Sequence, residues 1–206
     1  MADDNEPSTA RLEAFSDGVF AIAITLLVLE FKVPDTSRSG ELWRALVDEW
    51  PSLAAYVTSF FVIGVMWVNH DAIFRQFVRA DRGLLFLNLL LLLWAALIPF
   101  PTALLARYLN AGGPDSHIAA AVYSVNLLLA AIAFSSIWAY GVRGGRLLAA
   151  ALDPREERRT MLRFGVGTLV YAATVGLAFV SAPLTLAVQF AVAAYYCLDQ
   201  VRPARG

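Results

Sequence analysis

The chain has 206 residues, of which 59% are hydrophobic and 16% charged, and its formal net charge at pH 7 is -1. Soluble domains carry about 25% charged residues, so this composition excludes an ordinary soluble protein and indicates membrane helices joined by polar loops. The single cysteine, Cys197, excludes an intrachain disulfide and a cysteine-cluster metal site.

The first hydrophobic segment, predicted as a helix over 13–33, has an unusually short uncharged interior, from Gly18 to Leu29. Asp17 precedes this interior, and Glu30 and Lys32 follow it. A spanning helix needs about 20 mostly apolar residues, so this segment would insert poorly if lipid surrounded it. We therefore expect neighbouring helices to enclose it, or water to contact it as in a pore-lining helix. The alternative is an amphipathic helix at the membrane surface.

The later uncharged runs predict five more membrane helices. Ser52 to Asn69, Leu84 to Ala106 and Ile118 to Val142 are each long enough for one crossing. The run from Phe164 to Leu198 is too long for one, and Pro183 near its middle predicts a hairpin of two short helices. The fold class is thus an all-α polytopic membrane protein with tails at 1–10 and 200–206 and a six-helix domain at 11–199. Its predicted helices are 13–33, 51–70, 84–106, 117–142, 161–181 and 183–199.

The distribution of basic residues predicts the orientation. With six crossings, twelve of the sixteen lysine and arginine residues fall on one side of the membrane, and four fall on the other: Lys32, Arg38, Arg44 and Arg107. Basic residues favour the cytoplasm, so we expect a cell-membrane protein with both termini cytoplasmic.

Asp17 is the most informative charged residue, because an acidic group at a membrane boundary must be paired, hydrated or functional. Ser16 and Asp17 are both suited to capping a helix start, so one interpretation is structural capping and pairing. The other is direct contact with an ion. The sequence leaves both open.

One face of the first helix carries Ile22, Leu26 and Leu29, which are spaced i, i+4 and i+7. Such a stripe is ordinarily core packing, but repeated around the axis of an oligomer it forms apolar rings that gate a pore by dewetting. Thr25 lies about 100 degrees from Leu26. Its hydroxyl either bonds to its own helix or meets an ion.

The residue patterns favour neither catalysis nor metal binding. The sequence has no GxSxG, no Walker-type glycine loop and no HExxH. His70 is expected to form hydrogen bonds, and His117 falls on the opposite side of the membrane, so neither a metal nor another cofactor is predicted. The arginine-rich segment from Arg143 to Arg163 predicts contact with anionic membrane lipids and not with nucleic acid.

The string from Arg11 to Leu27, RLEAFSDGVFAIAITLL, closely resembles the RxxxFSDGVFAIAITLL signature of the transmembrane protein 175 family in its short bacterial form. The resemblance continues through GVMWVNH at the end of the second helix and LNLLLLLWAALIPFPTALL in the third. It therefore covers the first half of the chain, and the later helices agree only in number and length.

This resemblance implies a homotetramer around a central pore that is lined by the first helix of each subunit and permeable to K+. The larger animal members carry the six-helix unit twice, whereas this chain has one copy, so four subunits are expected. Ile22, Leu26 and Leu29 would form the pore constrictions, with Thr25 as a possible pore or selectivity residue. The resemblance also implies an intracellular structural network that packs the first helix against the second: Arg11, Phe15, Ser16, Asp17, Trp67 and His70.

The predicted function is therefore passive conduction of potassium and other monovalent cations, without enzymatic activity. The alternative is a proton-coupled membrane transporter in which Asp17 and His70 titrate in a relay. Against it, no glycine-interrupted pair of helices marks a substrate site at the membrane midplane.

Overall fold

The computed structural model describes residues 9–31, 33–34, 40–145, 147–148 and 153–201. Helices form almost all of these residues, and no extended strand occurs among them beyond an isolated bridge between Phe77 and Leu148. The 3₁₀ turn Leu27–Glu30 extends the first helix. The α-helices are α1 (Thr9–Leu26), α2 (Leu42–Asp48), α3 (Trp50–Phe74), α4 (Arg82–Leu97), α5 (Pro99–Tyr108), α6 (Gly113–Val142), α7 (Pro154–Ala178) and α8 (Ala182–Val201).

Five segments of the described chain are long and apolar enough to cross a membrane: Thr9–Leu29, Trp50–Phe74, Arg82–Tyr108, Gly113–Gly145 and Glu157–Ala178. The apolar part of α8, Ala182–Leu198, is shorter than these five. The prediction of an all-α polytopic membrane protein is confirmed. The predicted tails lie mostly outside the described residues, as do Lys32 and Arg38.

The largest differences between the observed and the predicted helices occur in three places. The third predicted helix is two helices, α4 and α5, which meet at Ile98, directly before Pro99. Proline lacks the N–H that would continue the backbone ladder, which explains the break. The short helix α2 was not predicted, and α7 begins at Pro154, well before the predicted start at 161.

Helix α6 lies at the centre of the bundle and contacts α4, α5, α7 and α8. Its buried positions include small residues, among them Ala119, Ala130 and Ala133, which let neighbouring helices approach closely. Gly141 is the tightest of these positions, because a Cβ there would overlap the ring of Phe77. This packing makes α6 the most buried of the membrane-length helices in the described part of the chain.

One end of the bundle, which we call the arginine end, collects the end of α6 and the starts of α4 and α7. The backbone N–H of Val78 donates to the carbonyl of Leu147 at 2.9 Å, so the loops after α3 and α6 meet. The hydroxyl of Tyr140, late in α6, donates to Asp81 at 2.9 Å. At the same end, the guanidinium of Arg163 in α7 lies 5.4 Å from the ring centroid of Tyr196 in α8.

Candidate functional site

Helix α1 is packed along one face and open along the other. Its buried residues recur every three or four positions and are continued by the 3₁₀ turn: Leu12, Ser16, Phe20, Ala23 and Leu27. This face contacts α3 and α4. The burial follows from helical periodicity, because residues at this spacing share one side.

The open face carries the predicted stripe. Ile22, Leu26 and Leu29 are 59%, 40% and 72% exposed in the single chain. Leu29 lies in the 3₁₀ turn, where side chains three residues apart eclipse, so it stays in line with Leu26. Ile24, by contrast, packs against the core. In a membrane helix, an exposed apolar stripe of this kind faces lipid, a neighbouring chain or a passage.

Thr25 lies on the open side of α1, and its hydroxyl donates to the carbonyl of Ile22 at 2.9 Å. The hydrogen is therefore directed to its own helix. The oxygen keeps its lone pairs, so the side chain presents an acceptor and a methyl group to whatever faces α1.

A buried polar cluster holds the packed face of α1. The amide nitrogen of Asn88 in α4 donates to the hydroxyl of Ser16 at 3.0 Å. The Oδ1 of Asn88 lies 2.9 Å from the Nε2 of His70 in α3, so Nε2 donates when it carries the proton. Ser16 also donates to the carbonyl of Leu12 at 2.8 Å. All three side chains are buried, and their mutual bonds satisfy polar groups that lipid cannot satisfy.

The ring of His70 is held between two phenylalanines. Phe74 stacks on it with centroids 4.2 Å apart, and Phe20 of α1 meets it edge-on at 5.5 Å. This enclosure fixes the imidazole plane and therefore the direction of the bond to Asn88. The polar cluster, which we define as Ser16, His70 and Asn88, thus joins α1, α3 and α4 at one depth.

A second link between α1 and α3 lies at the surface. The indole Nε1 of Trp67 donates to Oδ1 of Asp17 at 2.8 Å. Asp17 is thereby paired with a neighbouring helix, as the structural interpretation of this residue requires. An indole donor to a carboxylate is a charge-assisted bond, which is stronger than a neutral one.

The structure joins four of the six residues of the predicted network, in two separate groups: Asp17 with Trp67, and Ser16 with His70 through Asn88. The side chains of Arg11 and Phe15 are exposed, and within the described residues no hydrogen bond or ion pair of Arg11 is present. Phe20, not Phe15, contacts His70.

Asn88 was missed by the sequence analysis, although a signal for it existed. It is the only polar residue in the run LLFLNLLLLLW, and a lone amide in such a run must find a partner inside the bundle. Among the described residues, no group of three or more histidine, cysteine, aspartate or glutamate side chains is placed to hold a metal ion.

Comparison with known proteins gives consistent results across the chain. The sequence profile of the family described as endosomal/lysosomal potassium channel TMEM175 matches residues 11–99. A potassium channel of Streptomyces collinus is 54% identical over 193 residues, which cover 94% of this chain and 93% of that protein. Similarity therefore extends through α6, α7 and α8.

A solved structure and a longer animal relative show similarity to the same family. The crystal structure of a lysosomal potassium-selective channel TMEM175 homolog from Chamaesiphon minutus matches with a TM-score of 0.84 and 41% identity, covering 94% of this chain and 98% of that one. The endosomal/lysosomal proton channel TMEM175 of Gallus gallus is 33% identical over 170 residues, covering 78% of this chain and 32% of that protein.

Proposed function

The chain belongs to the TMEM175 family, and from this premise we propose that it is a potassium-permeable channel whose passive pore is lined by α1 of each of four subunits. The observation that carries the pore assignment is the open face of α1. Ile22, Leu26 and Leu29 stand free on a helix whose opposite face is packed and hydrogen-bonded.

The proposed constriction follows from the chemistry of this stripe. Rings of isoleucine and leucine offer a potassium ion no oxygen ligands, and water fills a narrow apolar neck reluctantly. Such a neck is closed without any plug when it dewets, and it conducts hydrated ions when it widens. In this proposal Thr25 adds the only side-chain oxygen between Ile22 and Leu29 on the open side of α1.

The proposed oligomer follows from the single copy of α1. One helix cannot enclose a pathway, so conduction requires association of several chains around an axis. The number four rests on the resemblance of the first helix to the short bacterial family members. The mass of the detergent-solubilised protein tests it: four subunits are expected, and a conducting monomer would exclude a central pore.

The polar cluster and the Asp17–Trp67 bond are proposed as the anchors of the pore helix. They hold the packed face of α1 on α3 and α4, so that the open face keeps a constant direction toward the axis. Arg11 and Phe15, whose side chains are exposed in the single chain, are proposed to contact neighbouring subunits.

We further propose six crossings, with both termini cytoplasmic, in the cell membrane. The contact between Arg163 and Tyr196 supports the sixth crossing, because it places the end of α8 beside the early part of α7. The apolar part of α8, Ala182–Leu198, has 17 residues, which is at the short end of the range of about 17 to 25 that crosses a membrane. Arginines concentrated at the arginine end support a cytoplasmic assignment for it.

Flux through purified protein in liposomes tests the function. We expect potassium efflux down its gradient that needs no imposed proton gradient and that makes the interior of the liposomes electrically negative. Empty liposomes and liposomes with heat-inactivated protein are the controls. Flux that occurs only when a proton gradient is imposed would contradict passive conduction and favour the proton-coupled alternative.

Proton permeation is the second candidate, and the similarity to an animal relative named as a proton channel favours it. The same liposomes, loaded with a pH-sensitive dye and studied in symmetric potassium, separate the two ions. Proton flux without potassium flux would replace the proposed function, whereas potassium flux without proton flux would support it.

A further inference from the structure

A cavity lies between α3, α6, α7 and α8, away from the open face of α1. Its volume is about 60 Å³, and it is only partly enclosed. Small residues create the space, since Ala130, Ala131 and Gly167 form part of its wall. The proposed pore and its anchors leave this cavity without a role.

Most of the wall is apolar, with Val62, Leu127 and Phe134 among the lining side chains. An apolar space holds water poorly and accepts an apolar guest instead. Inside a membrane, the available guest of this chemistry is a hydrocarbon chain. The cavity therefore fits part of a lipid acyl chain.

The wall also has a charged member. Arg163 is exposed, lines the cavity, and lies early in the membrane-length segment Glu157–Ala178. Its guanidinium is held over the ring of Tyr196 at 5.4 Å, which restricts the direction of its long side chain. An arginine at this depth keeps its stem in the apolar region and its head at the level of the lipid headgroups.

We infer that this cavity binds one acyl chain of an anionic phospholipid, with the lipid phosphate against Arg163. A guanidinium pairs with phosphate through two parallel N–H donors, which gives both strength and orientation. Arg155, Arg158 and Arg159 are also exposed in the first turns of α7. This local positive charge selects a lipid with net negative charge over a zwitterionic one, whose ammonium group it repels.

Native mass spectrometry of the full-length, delipidated protein tests this inference, with dioleoyl phosphatidylglycerol and dioleoyl phosphatidylcholine as the two probes. We expect about tenfold tighter binding of phosphatidylglycerol, a difference of about 1.4 kcal/mol. Arg163→Gln should weaken phosphatidylglycerol binding and reduce this preference, and Arg155, Arg158 and Arg159 should account for what remains. Ala131→Leu, which fills the cavity, should weaken binding of both lipids.

The matched controls are Arg107→Gln, an exposed arginine outside the cavity, and Ala139→Leu, an exposed alanine on the same helix as Ala131. Both should bind as the unmodified protein does. If Ala131→Leu fails to assemble, Arg163→Gln alone tests the inference, because substitution of an exposed side chain should not disturb folding. Equal phosphatidylglycerol binding in the unmodified protein and Arg163→Gln would overturn the inference. So would saturable binding of oleate without binding of phosphatidylglycerol, which would identify a fatty-acid site.

Discussion

Helices α1 and α6 have nearly the same mean hydropathy over their membrane-length segments, 1.9 and 2.0, yet they occupy opposite environments. In the most apolar stretch of each segment, 56% of the residues of α6 are buried within the chain, against 28% of those of α1. Hydropathy therefore identifies both as membrane helices without distinguishing a helix at the centre of the bundle from one with an exposed face. The two helices differ in what they bury, because α6 buries four alanines and a glycine where neighbours approach, whereas α1 buries one alanine, Ala23.

Substitution of Gly141 has the largest expected effect on stability, and it tests whether α6 depends on the close approach of its neighbours. Gly141→Ala places a methyl group into the ring of the buried Phe77, and such overpacking costs about 3 kcal/mol at the upper end of its usual range. The measurement is the thermal unfolding of the purified protein in detergent, followed by tryptophan fluorescence. A large downward shift of the melting temperature is expected.

Two other glycines are matched controls for this change, since a methyl group on Gly18 in α1 or on Gly64 in α3 would have no neighbour within 4 Å. Alanine favours a helix over glycine by about 1 kcal/mol, so Gly64→Ala should leave stability unchanged or raised. If Gly18→Ala is as costly as Gly141→Ala, the open face of α1 is tightly covered in the assembly, and the contrast applies only to the single chain.

Asn88→Ala is expected to cost about 2 kcal/mol, because it leaves His70 buried without its partner and Ser16 without its donor. The change tests whether the packed face of α1 depends on the polar cluster. The measurement is a double-mutant cycle with Ser16→Ala, read as unfolding free energy. Strict additivity of the two changes would show that the cluster does not act as a unit.

Ile22→Asn should alter conduction more than stability, since Ile22 is exposed in the single chain. An amide in the proposed neck favours its wetting, and a reduction of the barrier by about 1.4 kcal/mol raises basal potassium flux about tenfold. Leu26→Asn and Leu29→Asn should act in the same direction with smaller effects. Liposome flux measures all three.

Ile24→Asn is the matched control for this prediction, because Ile24 is directed to the core and not to the open face. Conduction in Ile24→Asn should not rise. A cysteine at Leu29, in a Cys197→Ala background, gives an independent check, since a thiol reagent added outside should block the current. Equal sensitivity of Ile24 and Ile22 would mean that the pore face is assigned to the wrong side of α1.

Trp67→Phe has the smallest expected effect, about 1 kcal/mol of unfolding free energy. It removes the indole donor to Asp17 and keeps an aromatic ring, and the loss is that of one hydrogen bond between two exposed side chains. Trp43→Phe is the control, since Trp43 is more exposed and has no hydrogen-bond partner among the described residues. Identical melting temperatures for the two variants would show that the Asp17 link adds nothing to the attachment of α1.

The sequence was sufficient to predict features that depend on one helix alone. Uncharged length predicted the membrane helices, and the i, i+4, i+7 spacing placed Ile22, Leu26 and Leu29 on one face, which the structure leaves exposed. The break at Ile98 was also signalled, by the two prolines that follow it.

The sequence was insufficient to predict features that depend on contacts between distant segments of the chain. Phe15 and Phe20 are both aromatic residues in one apolar helix, and only the position of α3 determines that Phe20 meets His70. The side chains of α1 are themselves apolar on every side of the helix. Their periodicity therefore does not distinguish the packed face of α1 from its open face. The role of Asn88 depends in the same way on α1 and α3 together, and the cavity beside Arg163 exists only when four helices pack.

The bond between Ser16 and Asn88 joins residues 72 positions apart, and this separation affects the order of events during synthesis. Ser16 can enter the membrane early, because its hydroxyl already has the carbonyl of Leu12 on its own helix. His70 has no such local substitute among the described residues, and its partner emerges from the ribosome only with α4. We therefore expect α3 to stay in a polar environment until α4 arrives, and α1, α3 and α4 to enter the membrane as one unit.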